Sequence, residues 1–507
     1  APAAIPLSAA AAWVAASPRG ATRASGPRPR AELGAVAAVA LAFAIVVVVG
    51  IAENAPFSWD ESAYASTTRH WLQGGPATAW GPSRPPVLSV LGALPIAFGT
   101  EEWQFRLIGL AFGLLLVTAT WLLGRTVAGP VGGATAGVLS ALLVAAAPSI
   151  NVDAGLFLTD VPSAALIVLL LALVWRSFEA ASPPGWQILG LAPLAALAFY
   201  VRYGSIVPLS LILLAVPLVW PARVVAARRQ LGGTLALFGL LLLPHAVFAT
   251  LQRGSPLGIV LAAQGGAAGA YPGAGLVQYL AWLPAELVGL VPGMVAVLGL
   301  VVGARQLAFV ARRRAWDARG RAYALLVGPA VAHAVLLGLV ALPQQRYVFL
   351  PMVLLVVAGC LALAHAASER GSAGRAAAAG MVALAWNGIS MPVRAEARTA
   401  FTEWERQAGA LIRRLGGGSC SVLASDYPQI TWYSACPTYN FADVHRPGRE
   451  RLLGGEHRFL VLRADGKFQP SGAVLDAYLG LVDPEPVAVL AHRDGHEMAR
   501  IYRFATE

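Results

Sequence analysis

The chain has 507 residues, 57% of them hydrophobic and only 12% charged, with a mean hydropathy of +0.65. A soluble globular domain usually carries about twice that charged fraction, so an ordinary soluble enzyme is excluded and a polytopic membrane protein is indicated. The formal charge of +11 rests almost wholly on arginine, and no zinc-finger, helix-turn-helix or RNA-binding signature accompanies it, so nucleic acid is not an expected partner.

The arginine bias fits a GC-rich, bacterial genome. Residues 1–30 form an Ala/Pro/Arg stretch in which Arg19, Arg23, Arg28 and Arg30 follow the apolar residues instead of preceding them. That order is wrong for a cleaved signal peptide and right for a flexible cytoplasmic tail ahead of a membrane anchor. The chain begins with Ala1 and no initiator Met, so it is expected to fall short of the full translated product.

Apolar runs of spanning length then recur, about eleven in all, near 33–52, 104–124, 131–150, 161–178, 186–201, 204–221, 232–251, 284–303, 322–341, 348–366 and 375–392. With the N-terminus inside, Arg125, Arg176, the Arg223/Arg228/Arg229 group, the cluster from Arg305 to Arg321 and Arg370/Arg375 all fall in cytoplasmic loops. The opposite loops hold isolated arginines: Arg69, Arg84, Arg106, Arg202, Arg253 and Arg346. Arg202-Tyr203 must then mark a tight external turn. The expected organisation is a cytoplasmic tail (1–30), a transmembrane domain (31–394) and an external soluble α/β domain (395–507) in a plasma-membrane protein. The first external loop, 53–103, is apolar enough for helices lying on the membrane surface. In the last domain a helix is expected over Glu403–Leu415 and strands over Ser421–Ala424, Ile430–Ala435, Phe459–Leu462 and Val487–Leu490. Cys420 and Cys436 lie there, and an external compartment permits a disulfide between them; two buried thiols are the alternative. Cys360 sits in a span and reads as packing.

The residues that could do chemistry stand at the outer ends of spans. Phe57-Ser58-Trp59-Asp60-Glu61 places an acidic pair just past the first span, where an ionisable residue is costly. Ser58…Glu61 is also a capping-box spacing, and it explains Glu61 better than Asp60. Adjacent helical residues point about 100° apart, so Asp60 is the candidate general base and Glu61 a cap or support. Asp160, in Thr159-Asp160-Val161-Pro162, is a further catalytic candidate, although the same residues make an ordinary helix start. Carboxylates and arginines together at the lipid boundary would suit a phosphorylated lipid donor, and Arg84, Arg202, Arg346 and Tyr347 are candidate contacts to its phosphate; headgroup snorkelling and interface anchoring are their alternatives. Arg106 could pair with Glu101 or Glu102, and His70 reads as a packed surface histidine. Asp60-Glu61 alone is no chelating set and no His/Cys cluster joins it, so no metal ligand or cofactor is assigned, and a divalent ion is left open.

Taken together, Trp59-Asp60-Glu61…Tyr64, Arg84-Pro85-Pro86, Arg106-Leu107 opening a span that ends Leu123-Gly124-Arg125, Asp160 before the next, Val201-Arg202-Tyr203-Gly204, Gly254-Ser255-Pro256 and Arg346-Tyr347 resemble the GT-C membrane glycosyltransferases. The similarity is to the branch holding the protein O-mannosyltransferases and the lipid A aminoarabinose transferases (glycosyltransferase family 39), and it covers about residues 45–365. It implies an external active site, a polyprenyl-phosphate-linked sugar donor, and an acidic residue of the first external loop as base. The acceptor would be a hydroxyl on protein, lipid or wall polymer, and attack would invert the anomeric carbon. A transporter or flippase of a lipid-linked or small polar substrate is the rival, but such proteins place their ionisable residues near the bilayer midplane.

Overall fold

A computed structural model describes residues 29–52, 55–77, 81, 84–265, 271–283, 285–340, 343–370, 403–417, 419–441, 457–492 and 494–505. Every expected span up to 348–366 coincides with a helix; the one expected at 375–392, the start of the last domain, and nearly all of the tail 1–30 lie outside the described residues. The chain opens with α1 (Pro29–Ala52), then α2 (Trp59–Gln73), α3 (Pro86–Leu91) and α4 (Ala93–Phe98), which occupy the first loop. Next come α5 (Glu102–Val127), α6 (Gly129–Ala145), α7 (Pro148–Ala154), α8 (Asp160–Glu179), α9 (Leu191–Val201), α10 (Ile206–Val219) and α11 (Pro221–Ala226). The bundle ends with α12 (Arg228–Arg253), α13 (Gly258–Gly265), α14 (Ala274–Trp282), α15 (Ala285–Val288), α16 (Leu290–Arg313), α17 (Ala318–Val340) and α18 (Phe349–Arg370).

Among the described residues, 7 helices are long and apolar enough to cross a bilayer alone, and 8 if the pair Gly132–Ala145 and Pro148–Ala154, bent by 70°, is one span. The protein is thus a multi-pass membrane protein, although the expected count of about eleven exceeds what length supports. The difference lies partly in 186–201 and 204–221, whose helices are shorter than a bilayer needs. Between them Arg202 leaves the helix for extended backbone at φ −152°, which makes the tight turn expected there. Helices α8 and α18 are the most buried and form the centre, whereas α12 exposes most of its apolar surface. Close approach needs small residues. At the α16–α18 crossing a Cβ on Gly299 would collide with the Leu355 carbonyl, and one on Gly359 with that of Val295.

The C-terminal domain holds α19 (residues 403–416), α20 (Tyr427–Ser434) and α21 (Ala473–Leu479) around a five-stranded sheet. Its strands are β1 (Cys420–Ala424), β2 (Thr438–Tyr439), β3 (His457–Arg463), β4 (Ala488–Ala491) and β5 (Glu497–Arg503), in the order β2-β1-β3-β5-β4. Strands β2, β1 and β3 are parallel; β5 and β4 continue antiparallel. The period-2 pattern feeds two cores, with Val422, Phe459, Val461 and Ile501 in one and Leu423, Leu460, Leu462 and Tyr502 in the other. The strand expected at Ile430–Ala435 is instead the helix α20. Pro428 in its first turn and left-handed Ala435 at its end (φ 59°) delimit it, and burial of Ile430 and Trp432 overrides their strand preference. Strands β2 and β5 have no counterpart among the expected strands. Cys420 and Cys436 are joined by a disulfide, with Cα atoms 5.4 Å apart.

Candidate active site

Helix α2 begins at Trp59 and ends at Gly74, whose left-handed backbone (φ 67°) returns its N–H to the His70 carbonyl. Asp60 and Glu61, on adjacent positions, part company at once. Glu61 is fully buried. It accepts hydrogen bonds from Arg106 (Nε, 3.0 Å), from the Phe157 N–H (3.0 Å) and from the Ser58 N–H (2.9 Å). Arg106 also donates to the Ala55 and Pro56 carbonyls at 2.7 and 3.1 Å. Burial would push the Glu61 carboxyl up, but the Arg106 guanidinium and these donors hold it below the usual value. The expected pairing of Arg106 with Glu101 or Glu102 is therefore corrected: Glu102 binds Arg406 and Tyr433 of the C-terminal domain. His70 hydrogen-bonds the Gly75 carbonyl, a structural use.

Asp60 turns the other way, into a cavity of about 300 Å³. One carboxylate oxygen accepts from Arg84 at 2.9 Å and the other from Arg346 at 2.8 Å. Arg346 also lies 3.9 Å from Asp160, which is paired directly with Arg202. Five residues from five separate segments thus form one row of alternating charge, Arg84–Asp60–Arg346–Asp160–Arg202, with three cations to two anions. Burial pushes the Asp60 carboxyl up; Arg84 and Arg346 outweigh it and hold the group below its ordinary 3.8. Aromatic faces support the cations. Arg84 lies 4.5 Å above Trp59 and 5.3 Å from Tyr64, and Arg202 lies 4.9 Å from the Tyr347 ring.

Of the sequence-derived candidates, Asp60, Arg84, Asp160, Arg202, Arg346 and Tyr347 all line this cavity, and Glu61 stands behind it. Tyr64 and Tyr203 line it too. Tyr64 carries a signal that was legible: it lies four residues after Asp60, hence on the same helical face. Val260, Leu337 and Val340 give the cavity an apolar wall beside the charges. A recess of about 60 Å³ continues inward past Ser163, Ser205 and His333. Among the described residues no three of His, Cys, Asp and Glu converge as a metal site.

Such an arrangement can bind an anion at the arginines, seat an apolar chain beside it, and offer a carboxylate to a proton. The architecture that presents it is a GT-C-like membrane fold. Residues 83–248 match the family model described as dolichyl-phosphate-mannose-protein mannosyltransferase. The fold is similar to ArnT from Cupriavidus metallidurans bound to undecaprenyl phosphate, at a TM-score of 0.63 and 15% identity, covering 94% of this chain and 98% of that one. It is also similar to the oligosaccharyltransferase AglB from Archaeoglobus fulgidus in complex with an inhibitory peptide and a dolichol-phosphate, at a TM-score of 0.58 and 12% identity over 85% of this chain and 69% of that one. No curated protein sequence matches the chain.

Proposed function

We propose that the protein is a glycosyltransferase that moves a sugar from a polyprenyl-phosphate donor to an acceptor hydroxyl on the external side of the plasma membrane. The observation that carries this reading is Asp60 held between Arg84 and Arg346 in a cavity that also has an apolar wall. A lipid phosphate and a hydrophobic tail need those two surfaces side by side. The matched family model and the similar structures bound to undecaprenyl phosphate and to a dolichol-phosphate support the donor class.

In the resting site Asp60 is ionised, the form a base requires, but its two arginines keep its proton affinity low. The donor phosphate competes for the same guanidiniums. As they turn to it, Asp60 loses counter-charge while remaining desolvated, and its proton affinity rises. It then takes the acceptor's hydroxyl proton; the acceptor oxygen bonds to the anomeric carbon as the bond from that carbon to the phosphate oxygen breaks. Arg84 and Arg346 stabilise the charge on the departing polyprenyl phosphate. Attack opposite the leaving group inverts the anomeric centre. Asp160 fixes Arg202, and through it Tyr347, at the inner side of the row.

The test is release of polyprenyl phosphate from synthetic short-chain polyprenyl-phosphate sugars by purified protein, with Asp60→Asn alongside. Release by the wild type alone supports the reading. Folded wild-type protein that releases nothing from any donor, yet moves substrate across vesicle membranes, replaces it with transport.

A further inference from the structure

We infer that the C-terminal domain is a working part of this site: helix α20 positions Trp59, Arg84 and Asp60, and the Cys420–Cys436 disulfide maintains that grip. The inference has its own structural basis; only its consequence for turnover rests on the function proposed above.

The contacts run the length of α20. At its start the Tyr427 ring stands edge-on to Trp59, with centroids 5.5 Å apart, and the same Trp59 ring carries the Arg84 guanidinium at 4.5 Å. Trp59 therefore transmits the position of a C-terminal residue to a cation bound to Asp60. At the end of α20, Trp432 packs against Phe57 and Phe105 at 5.3 and 5.5 Å, within one cluster that also holds Tyr64 and Phe157. Arg69, from the last part of α2, lies 3.6 Å over the Trp432 ring and donates to its carbonyl at 2.7 Å. The Tyr433 hydroxyl accepts the Phe57 N–H at 2.8 Å and donates to Glu102 at 2.9 Å. Helix α2 is thus held at both ends by α20, with Asp60 between Phe57 and Arg69.

Helix α20 itself lies wholly within the loop that the disulfide closes. Cys420 opens β1, Cys436 precedes β2, and the sequence separation is 16. A cross-link across the base of a loop restricts every conformation in which its contents swing away. Eight residues cannot hold a helix by themselves in water, so α20 depends on these tethers and on its docking. The bond persists in an oxidising compartment and opens in a reducing one, which makes the site competent only on the oxidising side.

The experiment compares full-length wild type, Tyr427→Ala, Tyr427→Phe and Cys420→Ser/Cys436→Ser. Two readouts are used: amide hydrogen exchange over residues 59–73, and turnover with donor KM. Tyr427→Ala and the cysteine variant are expected to exchange faster in α2 and to lower kcat by about tenfold or more, since small displacements of reacting groups are costly. Tyr427→Phe, which keeps the ring, should restore most of the loss. Unchanged exchange in α2 in both disruptive variants overturns the inference, whatever the activity. Faster exchange with no turnover in any form, wild type included, upholds the grip and removes the function proposed above. Faster exchange with wild-type kcat would mean that the domain is only tied to the site, and would overturn the positioning role.

Discussion

Asp60 and Glu61 are neighbours in sequence, carry the same charge, and meet arginines at similar distances, yet their surroundings differ in kind. Glu61 has one guanidinium that makes further bonds to backbone carbonyls, in a region closed to solvent. Nothing can displace Arg106 without opening the protein. Asp60 shares two guanidiniums that border a cavity and remain about one-fifth to one-quarter exposed. Its partners can be drawn away by an anion. The first pair fixes where α2 begins; the second leaves a charge arrangement that a ligand can rearrange. A single helical position therefore separates a fastening from a site, and the difference lies in what the arginines can reach.

The largest effect that would break this comparison is expected at Asp60. Asp60→Asn keeps the shape and one acceptor oxygen but removes the base, and turnover should fall by roughly 10³-fold with little change in melting temperature. Substantial turnover in that variant would assign the proton to another group, with Asp160 the nearest alternative. Glu61→Gln should do the reverse. It leaves Arg106 buried without a counter-charge, and loss of one partner of a buried pair costs about 3–5 kcal/mol. Expression and thermal stability should collapse before any kinetic constant can be assigned. A stable Glu61→Gln protein with normal folding and no activity would move Glu61 into the chemistry.

Arg84 and Arg346 come next. Each gives one guanidinium nitrogen to Asp60 and, in the proposed reaction, a fork to phosphate; lysine keeps the charge and loses the fork. Arg84→Lys and Arg346→Lys are each expected to weaken binding of sugar-free polyprenyl phosphate by about tenfold, near 1.4 kcal/mol, with melting temperature almost unchanged. Equal binding by both variants and the wild type would show that the phosphate sits elsewhere along the row, at Arg202.

Much of this site was legible in the sequence because each participant stands at the end of an apolar run, where a charge is conspicuous. Asp60, Arg84, Asp160, Arg202, Arg346 and Tyr347 could be chosen one by one on that ground. Their order in space could not, since Asp60 and Arg346 are 286 residues apart. The partner of Arg106 was misjudged for the same reason: nearby acids were expected, while the actual partner is 45 residues back. The docking of α20 was invisible because Ile430-Thr431-Trp432-Tyr433 has the composition of a strand. Its helical form depends on Pro428 and Ala435 at its ends and on tertiary burial, of Ile430 in its own domain and of Trp432 against Phe57 and Phe105.

A third carboxylate sharpens the contrast by lacking a cation of its own. Glu405, in α19, is 3% exposed and its Oε2 has no hydrogen-bond partner. The nearby Arg463 is already engaged by Asp426 and Asp465. Burial, with Asp426 adding like charge, pushes the Glu405 carboxyl up to about 9. The folded protein thus holds this proton far more tightly than the unfolded chain, whose value is near 4.5. Stability from this group is fully present below about 4.5 and declines as pH rises towards 9. Glu405→Gln cannot ionise and removes that slope. Its melting temperature should match the wild type near pH 4.5 and exceed it increasingly as pH rises towards about 8. Parallel melting curves across that range would mean that Glu405 finds a counter-charge in the folded state, and that it belongs with Glu61 after all.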